Sequence, residues 1–483
     1  MPTPLPHYLR IAADLLVQLD DGRHPPGSRL PSVRALAAGY GVNVLTALQA
    51  YRHLEQAQRV VARPRSGFFA ALTTPPESDD GPPPWPAPAT LVDLGSRASQ
   101  LVRLSDPSIA VQWHMAEAAP ELYPAAAIAR LLQQRLRRQP ELIGTHLSYE
   151  TQRQLQRQLQ RIAAGYQLEL DPADILLTHG NTESIQLALR AITRPGDTVA
   201  VETPVYFGLL QTLESLGLKA LEIPCTPDRG LSLEALEFAL RHGTPVRCLV
   251  AVPHFQNPGG GLMPDADKKR LLALLRSHGV TLIEDDVFGD LAFDGERPTP
   301  IKAWDSEGDV IYCASFTKSL APSFRQGWVA GGRHQARLAQ LKLSSSYVGS
   351  ALLQAVLADF LASGQYQQHL SRLRGQLARQ CRQLSEAVLA AFPRGTRIAA
   401  PRGGLLLWIE CPRGVDSIAL LQRALAESIS FAPGPLFSAE ARFSHCLRLN
   451  FGQPWTPALA TAVARLGQLA LEQVRTAHTG EAR

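Results

Sequence analysis

Residues 315–328 read SFTKSLAPSFRQGW. A lysine used for Schiff-base chemistry must be held rigidly, inside a frame that also binds the anionic part of its cofactor. Ser315 stands three residues before Lys318 and Arg325 seven after it, so a hydroxyl, an amine and a guanidinium share one short segment. That set suits a phosphate together with an aldehyde. A lone lysine is ordinarily a solvated surface residue, but the apolar run VIYCAS (310–315) leads straight into this one and predicts a strand end beneath it.

Outward from that segment, strands and helices alternate. The runs DILLT (174–178), TVAVE (198–202), CLVAV (248–252), TLIED (281–285), VIYCAS and WVAGG (328–332) read as strands. Helical patterns cover 182–193, 205–216 and 265–277. Such alternation predicts a mostly parallel sheet with helices on both faces. One long helical stretch, 351–392, precedes LLLWIE (405–410), ISFAP (429–433) and CLRLNF (446–451), which read as a smaller C-terminal α/β subdomain.

Several strand ends carry groups of use to the same cofactor. THGNTESIQLALRAI (178–192) is a strand, a turn with glycine and a helix; the N–H groups of Asn181 and Thr182 open that helix and favour an anion. VETPVYFG (201–208) offers the ring of Tyr206, and VPHFQNPGG (252–260) offers Asn257 as a donor. In LIEDDVFGDLAF (282–293), Asp285 could pair with a pyridine nitrogen and keep it protonated. In CLRLNFG (446–452), Arg448 could hold a carboxylate bidentately. A buried tyrosine, or an asparagine in an NPG turn, is by itself usually structural; the order of all six segments carries the argument.

Together the six segments resemble the fold-type I pyridoxal-phosphate (PLP) enzymes of the aminotransferase class I/II group, over about residues 91 to 475. The resemblance implies Lys318 as the Schiff-base lysine, Asp285 at the ring nitrogen, Asn257 at the phenolic oxygen and Tyr206 stacked on the ring. It implies Ser315, Arg325, Asn181 and Thr182 at the phosphate, Arg448 at an α-carboxylate, and Tyr149, from LSYE, reaching the phosphate of a partner subunit. One departure stands out. Where the group usually has a tyrosine two or three residues after the aspartate, this chain has Val287 and Phe288, so one hydroxyl that tunes the cofactor is missing.

The N-terminal seventh differs in kind. Residues 1–71 hold eight arginines, no lysine and four acids, a net of +4, whereas the whole 483-residue chain is only +5. A compact basic module attracts polyanions, DNA first among them; a solvated basic face is the plainer reading of the same charge. RLPSVRALAA (29–38) predicts a helix capped by Ser32, Gly41 breaks it, and Asn43 caps a second helix from Val44 to Gln56 with Leu48, Tyr51 and Leu54 on its apolar face. RVVARPRSGFFAA (59–71) reads as strand, turn, strand, a wing with Arg63 and Arg65 flanking its tip. Residues 72–90, LTTPPESDDGPPPWPAPAT, form a Pro-rich linker. Six cysteines without a CxxC pair, no signal pattern and no apolar run of about 18 residues predict a cytoplasmic protein without a metal site or membrane span.

The N-terminal segment resembles the GntR-type winged helix-turn-helix through PPGSRLPSVRALA (25–37), the GV at 41–42, Thr46, AYRHLE (50–55) and SGFFA (66–70). That resemblance implies DNA contacts by Arg34, Asn43, Thr46, Arg63 and Arg65; the alternative is that Arg34 and Arg63 merely pair with nearby acids. Val44 stands where the family often has an arginine. The full chain, 1–71 head, 72–90 linker and 91–483 PLP domain, resembles the MocR (PdxR-like) regulators. The implied protein is a homodimeric transcription regulator that binds a double-stranded DNA operator and senses PLP, or an amino-acid or amine effector, through an aldimine at Lys318. Two other readings stay open: an active aminotransferase carrying a DNA-binding head, and an enzyme whose N-terminal module binds a protein.

Overall fold

The computed structural model describes residues 7–20, 23–24, 27–56, 59–63, 67–70, 86–93, 108–145, 148–226, 228–243 and 245–480. The side chains of residues 20, 56, 63 and 477–480 are outside that description, as are Arg65 and most of the linker.

The head is built from three helices, His7–Asp20, Val33–Tyr40 and Val44–Gln56, and the hairpin Val60–Arg63 with Gly67–Ala70. The caps are the expected ones. Ser32 Oγ accepts from the Ala35 N–H at 3.1 Å, and Asn43 Oδ1 accepts from the Thr46 N–H at 2.7 Å, each satisfying a donor that the helix start leaves free. Tyr51 is fully buried, stacks on Phe68 at 4.3 Å and donates its hydroxyl to the Pro31 carbonyl. The third helix, the turn that leads into the second and the wing are thereby locked around one ring. Leu54 is buried with it, and Leu48 packs on the margin.

The large domain centres on a sheet whose strands run, in spatial order, Thr90–Leu91, Lys219–Thr226, Thr198–Thr203, Val246–Ala251, Thr281–Asp285, Val310–Ser315, Gly327–Ala330 and Ile175–Thr178. The five strands from Lys219–Thr226 to Val310–Ser315 are mutually parallel; Thr90–Leu91 and Gly327–Ala330 are antiparallel to their neighbours. Both faces are buried, which is why the strands read as continuous apolar runs rather than alternating ones. Along Val310–Ser315, Ile311 and Cys313 enter one core while Tyr312 and Ala314 enter another on the opposite face. The helices Asn181–Ile192, Phe207–Ser215 and Asp265–Ser277 fall where the sequence pattern put them.

Four expectations change. Lys219–Thr226, outside the six apolar runs of the sequence, is a strand next to the sheet edge. Thr90 already pairs with Ala220, so the large domain takes in the last residue assigned to the linker. The stretch 351–392 is two helices, Ala351–Ala362 and Gln365–Ala391, because Ser363 closes the first and Gly364 takes φ +74 between them. ISFAP is two short strands, Ile429–Ser430 and Ala432–Pro433, in different sheets. The second of these joins Arg397–Ile398, Leu406–Glu410 and Cys446–Asn450 in the small subdomain, packed on the helices Gln365–Ala391 and Pro457–Gly480. The first pairs with Val111–Gln112 and ties the segment 111–119 to that subdomain. Among the described residues no helix is long and apolar enough to cross a membrane. All six cysteines are free.

Candidate functional site

In an open α/β sheet the carboxyl ends of parallel strands leave a crevice where ligands bind. The expected residues gather there. Asp285 ends its strand, Ser315 ends the next with Lys318 three residues on, Tyr206 follows Thr198–Thr203, Asn257 follows Val246–Ala251, and Asn181 opens the helix after Ile175–Thr178.

The anionic corner is a helix start with a guanidinium over it. Gly180 has φ +88, and a Cβ there would come within 3.0 Å of Arg325 Nη2. Only glycine lets the Arg325 guanidinium lie this close to the first turn, where Asn181 and Thr182 present free N–H groups. Arg325 has no acid partner among the described residues. Ser315 Oγ is bonded to Thr317 Oγ1 at 2.7 Å, which adds a second hydroxyl beside the strand end. Asn181 does more than expected: its side chain donates to Asp285 Oδ1 at 2.6 Å and so orients the carboxylate. Burial, and then the neighbouring Asp286, push Asp285 up to about 7, a position that favours a cationic partner.

Arg448 is fully buried and has no carboxylate partner among the described residues. Its Nη1 donates to Asn257 Oδ1 at 2.9 Å, its Nη2 donates to the His114 carbonyl, and its Nε has no acceptor. Burial pulls its pKa down to about 10. A buried guanidinium with an unused N–H costs several kcal/mol, so the site has the character of one built for an anion. Because Asn257 Oδ1 is taken by Arg448, its Nδ2 is the end left to donate elsewhere. Tyr206 sits with the charges of Arg448, Asp285, Arg325 and Glu117 around it.

Lys318 is 20% exposed, and burial lowers its pKa while Glu117 opposes that shift and Arg448 and Arg325 add to it. A closed network stands behind it. Ser319 Oγ bonds to the Tyr366 hydroxyl at 2.9 Å, and Tyr366 donates to Asp290 at 2.7 Å. Arg297 joins Asp290 to Asp286 at 2.8 and 2.7 Å, and Asp286 also holds Tyr312 and His254. The residue after Lys318 is thus tied to the residue after Asp285. Sequence reasoning missed this network and missed Glu117, whose Oε1 lies 3.7 Å from Lys318 Nζ. The doubled acid in EDD was the one local sign of the former; Glu117 had none.

Phe288 is buried in the core of the small subdomain, so no hydroxyl reaches the site from that position. Tyr149 is not drawn in. It opens the helix Tyr149–Ala164 with 71% of its surface exposed and forms no hydrogen bond or ring contact with the site residues.

In the head, Arg34 is exposed and has no acid partner among the described residues. Asn43 spends its oxygen on the helix cap, leaving its amide N–H groups, and Thr46 is half-buried. Beside them Val44 and Leu45 are 48% and 72% exposed. Of Arg63 only the backbone is described, and Arg65 lies outside the described residues.

The pattern described as "Aminotransferase class I and II" matches residues 118–466, and that described as "Bacterial regulatory proteins, gntR family" matches residues 7–70. The chain is 35% identical to the uncharacterized HTH-type transcriptional regulator YjiR of Escherichia coli, over 95% of this chain and 98% of that one. It is 36% identical to the uncharacterized HTH-type transcriptional regulator YdcR of the same organism, over 97% and 99%. Among solved structures, LysN, the α-aminoadipate aminotransferase of Thermus thermophilus, superposes with TM-score 0.71 at 27% identity, covering 79% of this chain and 98% of that one. It was solved in complex with N-(5'-phosphopyridoxyl)-L-leucine.

Proposed function

This chain belongs to the aminotransferase class I and II family and carries a GntR-family head, the MocR architecture, and from that premise we propose that it is a PLP-dependent transcription regulator that senses an amine or amino acid at Lys318. The observation that carries this reading is Arg448, a buried guanidinium without a counter-charge, in the same crevice as Lys318.

The donor set fits the cofactor. Arg325, Ser315 and the first turn at Asn181 and Thr182 would hold its phosphate, Asp285 its ring nitrogen, Asn257 Nδ2 its phenolic oxygen, and Tyr206 its ring face. When bound, PLP supplies an electrophilic aldehyde for a primary amine and a ring that withdraws electrons. Lys318 supplies the resident amine. Arg448 orients a ligand carboxylate through paired N–H donors. Phe288 supplies no proton to the phenolic oxygen, a feature that suits sensing over turnover. With Lys318, Asp285 and Arg448 all present, amino-group transfer is the second reading.

In the head, Arg34, Arg63 and Arg65 would contact phosphates, while Asn43 and Thr46 open the helix facing the major groove. The exposed Val44 and Leu45 suit apolar contact with thymine methyl groups in place of a guanine-reading arginine. A homodimer would present two heads and place Tyr149 of each copy within reach of the other's site.

The test is the absorbance spectrum of the PLP-loaded protein as amines and amino acids are added in turn. A ligand-dependent band shift with the cofactor retained in that state supports the sensor. Conversion to the pyridoxamine form with release of a keto acid makes the protein a working aminotransferase.

A further inference from the structure

Glu117 faces Lys318, and none of the expected roles uses it. Its carboxylate lies 3.7 Å from Lys318 Nζ, and Lys318 is its only cationic partner among the described residues. Its backbone is anchored. Asn450 Nδ2 donates to the Glu117 carbonyl at 2.7 Å, and the Ala119 N–H donates to the Gly452 carbonyl at 2.8 Å. Arg448 holds His114, and the Trp113 N–H donates to the Ser430 carbonyl at 2.9 Å. The charges that face Lys318 are Arg448 from the strand Cys446–Asn450, Arg325 from the turn after Pro322–Phe324, Asp285 from its strand end and Glu117 from the segment 111–119. Asp285 is the group that would serve the cofactor ring, so Glu117 alone is free to serve the lysine.

We propose that Glu117 is a positioning residue that restrains Lys318: once a ligand amine has replaced the lysine on the cofactor, the Glu117 carboxylate holds the freed side chain as its ammonium and withholds the base that amino-group transfer needs. This rests on the reading of Lys318 as the cofactor-linking lysine. In the exchange, the ligand arrives as its ammonium; its nitrogen bonds to the aldehyde-derived carbon, the bond from that carbon to the Lys318 nitrogen breaks, and two protons pass from the ligand nitrogen to the Lys318 nitrogen, which already carries the imine proton and so leaves as an ammonium. Transfer would next require neutral Lys318 to remove a proton from the ligand α-carbon. An ammonium paired with a carboxylate cannot do this. Glu117 would then separate binding, which the site permits, from turnover, which it slows.

Two measurements on the full chain test the proposal. In the cofactor-free protein, the rate at which acetic anhydride labels Lys318 is followed against pH by peptide mass spectrometry. Removing the carboxylate in Glu117→Gln should make labelling at pH 8 about fivefold to tenfold faster, since each pH unit in the midpoint is a factor of ten. In the PLP-loaded protein, L-alanine and L-aspartate serve as neutral and acidic probes, and Glu117→Gln should convert the cofactor to its amine form faster, by a similar factor, with the pH profile moved to lower pH. Glu117→Asp, which keeps the charge, should move both profiles back toward the wild type. A labelling midpoint that does not move in Glu117→Gln overturns the proposal, as does a rate change without displacement of the pH profile. The labelling arm contains no cofactor, so it still judges Glu117 if the wild type fails to attach PLP at Lys318, the outcome that would instead sink the cofactor reading.

Discussion

Two arginines withdrawn from water, Arg297 and Arg448, meet opposite fates. Arg297, 11% exposed, is paired with both Asp286 and Asp290 and lies over the Tyr166 ring at 3.7 Å. Among the described residues, Arg448, fully buried, has two neutral acceptors, no carboxylate and an unbonded Nε. Burial opposes the charge on both. At Arg297, Asp286 and the groups beside it overcome that and raise the pKa; at Arg448 nothing does, and the pKa falls to about 10. The first arginine is complete without a ligand and serves the fold. The second is complete only when something anionic arrives. Burial alone does not mark a functional charge; burial without a counter-charge does.

The largest effect is expected at Arg297. Arg297→Met takes the guanidinium from buried Asp286, leaving it Tyr312 and His254 alone, and from half-buried Asp290, and should cost about 3–5 kcal/mol in urea unfolding. A variant as stable as the wild type would mean the network is slack.

Arg448→Leu should do the reverse. Stability should stay within about 1 kcal/mol of the wild type or rise, while ligands bearing a carboxylate should bind more weakly by about 1.5–3 kcal/mol. If Arg448→Leu unfolds as readily as Arg297→Met, the two arginines are equivalent and the contrast is lost.

A third probe uses pH. Asp285 has a folded value near 7 against 3.8 for the free side chain. A raised carboxyl costs the folded state nothing below pH 4, a growing amount from pH 4 to 7 and its full amount above 7. Cofactor-free Asp285→Asn should therefore gain on the wild type as pH rises through that window, by at least about 1.4 kcal/mol, the worth of one pH unit. Parallel stability curves would show that Asp285 is not held ready for a cation.

The smallest effect is expected in the head. Arg65→Ala should weaken DNA binding on every sequence by less than about 1 kcal/mol and lower the salt slope by about 1. An unchanged slope would take the wing out of the interface.

Much of this was legible because it is local. Ser32 and Asn43 cap their helices from within three residues, and the buried strands are unbroken apolar runs. What stayed hidden depends on distant partners. Lys219–Thr226 carries Glu222, which looks wrong in a buried strand until Ser438 and Ala439 are seen to bond it. Arg448 was legible as a carboxylate ligand, but its missing counter-charge was not. Glu117 reaches Lys318 only because Asn450 and Gly452 pin its segment, over three hundred residues along the chain. The side-chain bond from Asn181 to Asp285 was hidden by the backbone role that its position already suggested.

A regulator of this kind requires that occupancy at Lys318 be felt by the head. The direct measurement is the affinity of the full chain for duplexes it has selected from a random-sequence pool, with and without PLP, for the wild type and Lys318→Ala. PLP should change wild-type affinity by a factor in the range of about 5–150, typical of coupled sites, and leave Lys318→Ala unmoved. Equal wild-type affinities with PLP present and absent, under each added amine and amino acid, would contradict it.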